Sequence, residues 1–95
     1  MTAGNDRLPR RRADVQMHQD GFRTRLVSGV SGGAHALNPT ARAIWELCDG
    51  TVTVAELVDA IRQVFDVPAE TARADVEAVI DQFEAADLVT WSGVE

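Results

Sequence analysis

Leu37-Asn38-Pro39-Thr40-Ala41-Arg42-Ala43-Ile44-Trp45-Glu46-Leu47-Cys48-Asp49-Gly50 is the stretch where the periodicity of this chain changes. Before it, apolar residues recur at every second position. Within it, Ala41, Ile44, Trp45 and Cys48 recur at i, i+3, i+4 and i+7, the spacing of one helical face. Asn38 is a good N-cap, because its side chain can accept from an orphan N–H. Pro39 at the first helical position loses nothing by lacking its own N–H. Asp49-Gly50 ends the helix, with Gly supplying the left-handed C′ conformation.

Upstream the period is two. Residues 14–19 alternate with Val15 and Met17 on one side, and residues 22–27 alternate with Phe22, Thr24 and Leu26 opposite Arg23, Arg25 and Val27. Asp20-Gly21 between them suits a tight turn, so the pair reads as a β-hairpin with one apolar and one basic face. Residues 28–33 are too glycine-rich for a strand, and Ala34-His35-Ala36-Leu37 is a short third strand.

Downstream the period is helical. Thr53-Val54-Ala55-Glu56 is a capping box. Behind it, Val54, Leu57, Val58, Ile61, Val64 and Phe65 form the apolar face of a second helix. Asp66-Val67-Pro68 stops that helix and starts a third, over residues 69–86, with Ala72, Val76, Val79, Ile80 and Phe83 on one face. Residues 87–91 look extended. The order β-β-β-α-α-α is an α+β fold: an N-terminal three-stranded antiparallel sheet followed by three α-helices. Helices two and three make a helix-turn-helix, and the extended segment after them makes a wing strand, so the class is winged helix-turn-helix. Residues 14–95 form this single domain, and residues 1–13 read as a mobile basic tail.

Composition narrows the function. Ninety-five residues are too few for two cores, and 45% apolar with 25% charged residues is too rich for disorder throughout. Residues 1–42 hold seven arginines against three acids, a net +4; residues 43–95 hold two arginines against twelve acids, a net −10. Cys48 is the single cysteine, so no internal disulfide forms and a reducing, cytoplasmic location is expected. No apolar run approaches the roughly 18 residues of a membrane span. The arginines at positions 10–12 are not followed by the apolar segment of a secretory signal.

Chemistry-bearing clusters are missing. His18, His35 and Cys48 fall on different elements, so no metal site is expected and no cofactor is implied. Cys48 lies on the apolar stripe and reads as a core thiol. Ser31-Gly32-Gly33 lacks the spacing and context of a phosphate-binding loop. The third helix carries Glu70, Asp75, Glu77, Asp81, Glu84 and Asp87 against Arg73 alone, which opposes its use as a DNA-reading helix. A transcriptional regulator is therefore the weaker alternative. What remains is a short edge strand of small residues, a template for pairing with an extended peptide. Val76 and Ile80 on the third helix would meet its apolar side chains, with Arg73 and Glu77 on the outer flank. The basic strand face with Arg23 and Arg25 would steer an acidic peptide.

The residues quoted at the outset resemble the LN-x-T-A-x-x-I-W-x-L-x-D-G signature of PqqD-like proteins. The resemblance continues through Thr53-Val54-Ala55-Glu56-Leu57, Phe65-Asp66-Val67, the helix containing Ala74-Asp75-Val76 and Phe83, and Asp87-Leu88-Val89. It implies a recognition element for ribosomally made, post-translationally modified peptides. Such an element is a non-catalytic chaperone that binds the leader of a precursor peptide and presents it to a modifying enzyme, a radical SAM enzyme or a leader peptidase. The leader adds to the third strand and packs on the third helix. Carried onto this chain, the implied contacts are Ala34, His35, Ala36, Leu37, Arg73, Val76, Glu77 and Ile80. Neither nucleic acid nor membrane is an implied partner.

Overall fold

The computed structural model describes residues 8–21, 23–29 and 32–92. Five strands and three helices follow in the order β1 (Leu8–Arg11), β2 (Val15–Asp20), β3 (Arg23–Ser28), β4 (Ala34–Leu37), α1 (Pro39–Leu47), α2 (Val54–Phe65), α3 (Ala69–Ala85) and β5 (Val89–Ser92). Strands β2, β3 and β4 form an antiparallel sheet in that order, and β1 and β5 form a separate two-stranded one. The α+β reading with a three-stranded sheet and three helices holds.

Local signals act as the sequence suggests. Asn38 Oδ1 accepts from the Ala41 N–H at 2.7 Å, with Pro39 in the first turn. Thr53 and Glu56 exchange their capping-box hydrogen bonds at 3.1 and 2.8 Å. Ala41, Ile44, Trp45 and Cys48 are all buried, as are Ala72, Val76, Val79, Ile80 and Phe83 of α3. Trp45 meets Phe83 edge to face, ring centroids 5.3 Å apart, which joins α1 to α3. Leu26 brings the sheet into the same core.

Four expectations need correction. Residues 8–11 of the expected tail are a strand. The Leu8↔Ser92 to Arg11↔Val89 register pairs β1 with β5, while Gly50 N–H donates to Pro9 C=O and Arg11 N–H to Cys48 C=O on its other side. Arg12 N–H further donates to Leu88 C=O at 3.0 Å. Main-chain pairing from both flanks holds a segment that lacks an apolar period of its own, and residues 1–7 of that tail lie outside the described residues. Val64 is 66% exposed, because it sits at the edge of the α2 stripe, past the width that α3 covers. The positive φ after α1 falls at Gly50 (φ 85), two residues beyond the cap at Cys48. The hairpin closes at Asp20↔Arg23, one residue later than expected, with Gly21 (φ 64) in the turn; Phe22 lies outside the described residues.

These burials separate three substitutions. Thr53→Ala should lower the unfolding free energy by about 1 kcal/mol through the lost cap. Ile61→Ala should lower it by about 2–5 kcal/mol. Val64→Ala should stay within about 0.5 kcal/mol, because its side chain is already in water. Urea denaturation followed by circular dichroism reads all three.

Candidate functional site

Strand β4 is an edge. Among the described residues it pairs with β3 alone, in the register Thr24↔Leu37, Arg25↔Ala36, Leu26↔His35 and Val27↔Ala34. Antiparallel pairs alternate between hydrogen-bonded and open. The Ser28 N–H donates to the Gly33 C=O at 2.9 Å, one step along the same register. Leu26–His35 and Thr24–Leu37 are then the bonded pairs. It follows that the N–H and C=O groups of Ala34 and Ala36 point outward, away from β3. The opposite flank of β3 keeps the same phase, since Gly29 N–H donates to Asp14 C=O at 2.8 Å where β3 runs on beside β2. At the start of β2, by contrast, the chain's own turn occupies the border: the Val15 N–H donates to the Arg12 C=O at 3.2 Å.

Side chains alternate with the backbone. Thr24 and Leu26 face the core and are buried, and their cross-strand partners Leu37 and His35 share that face and are half-buried. Ala34 and Ala36 share the outer face with Arg25 and Val27; the alanines and Arg25 are exposed, Val27 half-buried. His18 and Asp20 of β2 lie opposite Arg25 and Arg23 on this face.

The α3 residues divide. Arg73 and Glu77 are exposed. Val76 is 0% and Ile80 4% exposed, both within the core cluster. They finish the core, as their place at the centre of the apolar stripe allows, and in this conformation they offer almost no surface to a docked chain. The helix packed most closely on β4 is α1, which follows it directly through Asn38. The edge is thus a border rather than a pit. A recess of about 200 Å³ lies at its end, between Leu37, Pro39 and Ala43, beneath the Arg42–Glu46 ion pair.

A wider cleft, about 1130 Å³, lies near the β2 border of the sheet, between the β1–β2 connection and the C-terminal end of α1. Arg11 crosses it to donate to the main-chain carbonyls of Trp45 and Glu46 at 3.1 and 2.8 Å, capping α1. Arg12 pairs with Asp14 at 3.1 Å and Asp87 at 3.5 Å. The hydrogen bond from Arg12 holds the Asp14 carboxyl below the usual carboxylate range. Sequence periodicity missed these arginine roles, because register and capping partners come from residues 34 to 84 positions away.

Cys48 in this region is 0% exposed. Burial is the main cause that pushes its thiol up to about 12, from an ordinary value of about 9. Among the described residues no group of three or more His, Cys, Asp or Glu side chains comes together to hold a metal ion. No helix among them is long and apolar enough to cross a membrane.

The family model for coenzyme PQQ synthesis protein D, PqqD, matches residues 15–89. The chain belongs to the PqqD family. No individually curated protein matches it in sequence. Three solved structures share its fold. A lasso peptide synthetase B1 complexed with the leader peptide superposes with a TM-score of 0.75 at 20% identity, covering 87% of this chain and 98% of that one. TbiB1 in complex with the TbiA(beta) leader peptide gives 0.74 at 19%, over 90% and 99%. The PqqD truncation of Methylobacterium extorquens PqqCD, described as a functional, stand-alone recognition element for ribosomally synthesised and modified peptides, gives 0.73 at 21%, over 92% of each chain.

The state of Cys48 has two readouts. At pH 8 a thiol reagent such as Ellman's should leave the native PqqD-family chain unmodified and label it fully in denaturant. The folded-state value is raised, so below about pH 9 the thiol is neutral in both states and stability does not depend on it. Between about pH 9 and 12 it ionises only in the unfolded chain, and stability falls as pH rises. A Cys48→Ala variant should lose that part of the alkaline slope in urea titrations.

Proposed function

We propose that this chain is a non-catalytic leader-binding module for a ribosomally made precursor peptide. The open β4 edge is the observation that carries the reading. It offers the outward N–H and C=O groups of Ala34 and Ala36 to an added strand, with small side chains that let another backbone approach. Family membership and two fold relatives solved with leader peptides support it. The leader would lie along Ala34, His35, Ala36 and Leu37, with Arg73 and Glu77 at its flank. Val76 and Ile80 would act from beneath, shaping the helix rather than touching the peptide. The bound leader would then be handed to a modifying enzyme, a radical SAM enzyme or a leader peptidase. We also read α2, α3 and the β5 strand after them as a winged helix-turn-helix, and the single, buried cysteine as fitting a cytoplasmic protein.

Use of the same helices to read DNA is the second reading. Glu70, Asp75, Glu77, Asp81, Glu84 and Asp87 are all exposed on or just after α3, and that charge faces a phosphate backbone unfavourably. Duplex DNA should show no retardation by this chain even at low salt.

Ala36→Pro tests the edge directly. Its N–H points away from β3, so proline leaves the β3–β4 ladder bonded and removes one outward donor. Titration of the fluorescent leader peptide encoded beside this gene should give saturable binding to the wild-type chain. The variant should bind about tenfold more weakly, the equivalent of one or two main-chain hydrogen bonds, with an unchanged circular dichroism spectrum. Equal affinity for both chains would remove β4 as the docking border.

A further inference from the structure

We infer that the β4 edge selects a peptide carrying a carboxylate and an apolar side chain two residues apart on the sheet's outer face. The inference rests on the leader-docking reading above and adds the substrate chemistry. It follows from register. Arg25 stands directly across β4's Ala36, and Val27 directly across Ala34. Both alanines are exposed, and a methyl group is all that either places between β3 and the open border.

A strand added to β4 lies two spacings from β3, roughly 9.6 Å. Its residue opposite Ala36 shares the outer face with Arg25, and an arginine lying over the alanine methyl can reach a Glu or Asp side chain there. Its residue opposite Ala34 shares the face with half-buried Val27, which favours an apolar side chain. In an antiparallel addition the acid precedes the apolar residue in the peptide.

Charge distribution points the same way. Among the described residues Arg25 forms no ion pair, although His18 stands opposite it on β2 and Asp20 further along that strand. Arg23 is exposed on the same face and is likewise without an ion pair among them. The helical half of the molecule is strongly acidic, net −10 over residues 43–95, and repels a carboxylate. An acidic peptide is therefore drawn to the outer sheet face, its carboxylate toward Arg25 and its apolar side chain toward Val27.

The probe is a displayed library of random 12-residue peptides, selected on the immobilised full chain. Enriched sequences should carry Asp or Glu two residues from an apolar residue. The best peptide, synthesised with Glu or Asp and with its amide counterpart, then goes through a double-mutant cycle with Arg25→Gln. The amide peptide should bind the wild-type chain about threefold to fivefold more weakly, the range of a cross-strand ion pair. Against Arg25→Gln the two peptides should bind alike. An enriched family of alternating apolar peptides without carboxylates would overturn the charge rule and leave strand addition standing. So would an acid-to-amide loss of the same size on both chains. Failure to enrich any peptide family would overturn the docking reading and this inference together.

Discussion

Unpaired main-chain groups are the constraint on which this molecule turns. A buried N–H or C=O must find a partner, and an exposed strand border keeps its groups satisfied only by water. The chain closes some of its borders itself. β1 is held between β5 and residues 48–50, and the start of β2 is closed by the turn from Arg12. Among the described residues β2 and β4 are the outer strands of the three-stranded sheet, each paired on one side alone, and β4 is the one with the smaller side chains. In the proposed function, stability and recognition thus fall to different places. The helices and Leu26 make the core, and the sheet carries the core on one face and an open border beside it.

That division explains why the apolar residues of α3 are poor candidates for direct contact. Val76 and Ile80 sit at the centre of a stripe already filled by Trp45, Phe83 and their neighbours. A helix that anchors the core cannot also lend the same side chains to a ligand without opening. In the proposed function, recognition falls to main-chain groups of β4 and to side chains arranged by strand register. In the large cleft near α1, Arg11 caps the helix and Arg12 pairs with Asp14 and Asp87, which clasps the N-terminal strand in place.

Much of the fold was legible because its signals are local. Asn38-Pro39, the Thr53–Glu56 box and the apolar stripes of all three helices act within one or two turns, so spacing alone reveals them. β1 was not legible. Leu8-Pro9-Arg10-Arg11 carries no alternation that distinguishes a strand from a solvated tail, and its partners lie at the far end of the chain. Val64 belongs to the same lesson: periodicity places it on the apolar side of α2, while the width of the neighbouring helix decides whether it is covered.

By itself, then, the order of residues determined the element types, the helix boundaries, the core stripes and the existence of a short, small-chained third strand in the sheet. Tertiary structure alone decided which borders stay open, which backbone groups point out of them, and which arginine stands across from which alanine. The physical reason is range. Helix caps and periodic faces are contacts between near neighbours in the chain. Strand register and edge exposure are settled by pairing between separate segments, which no single local pattern encodes.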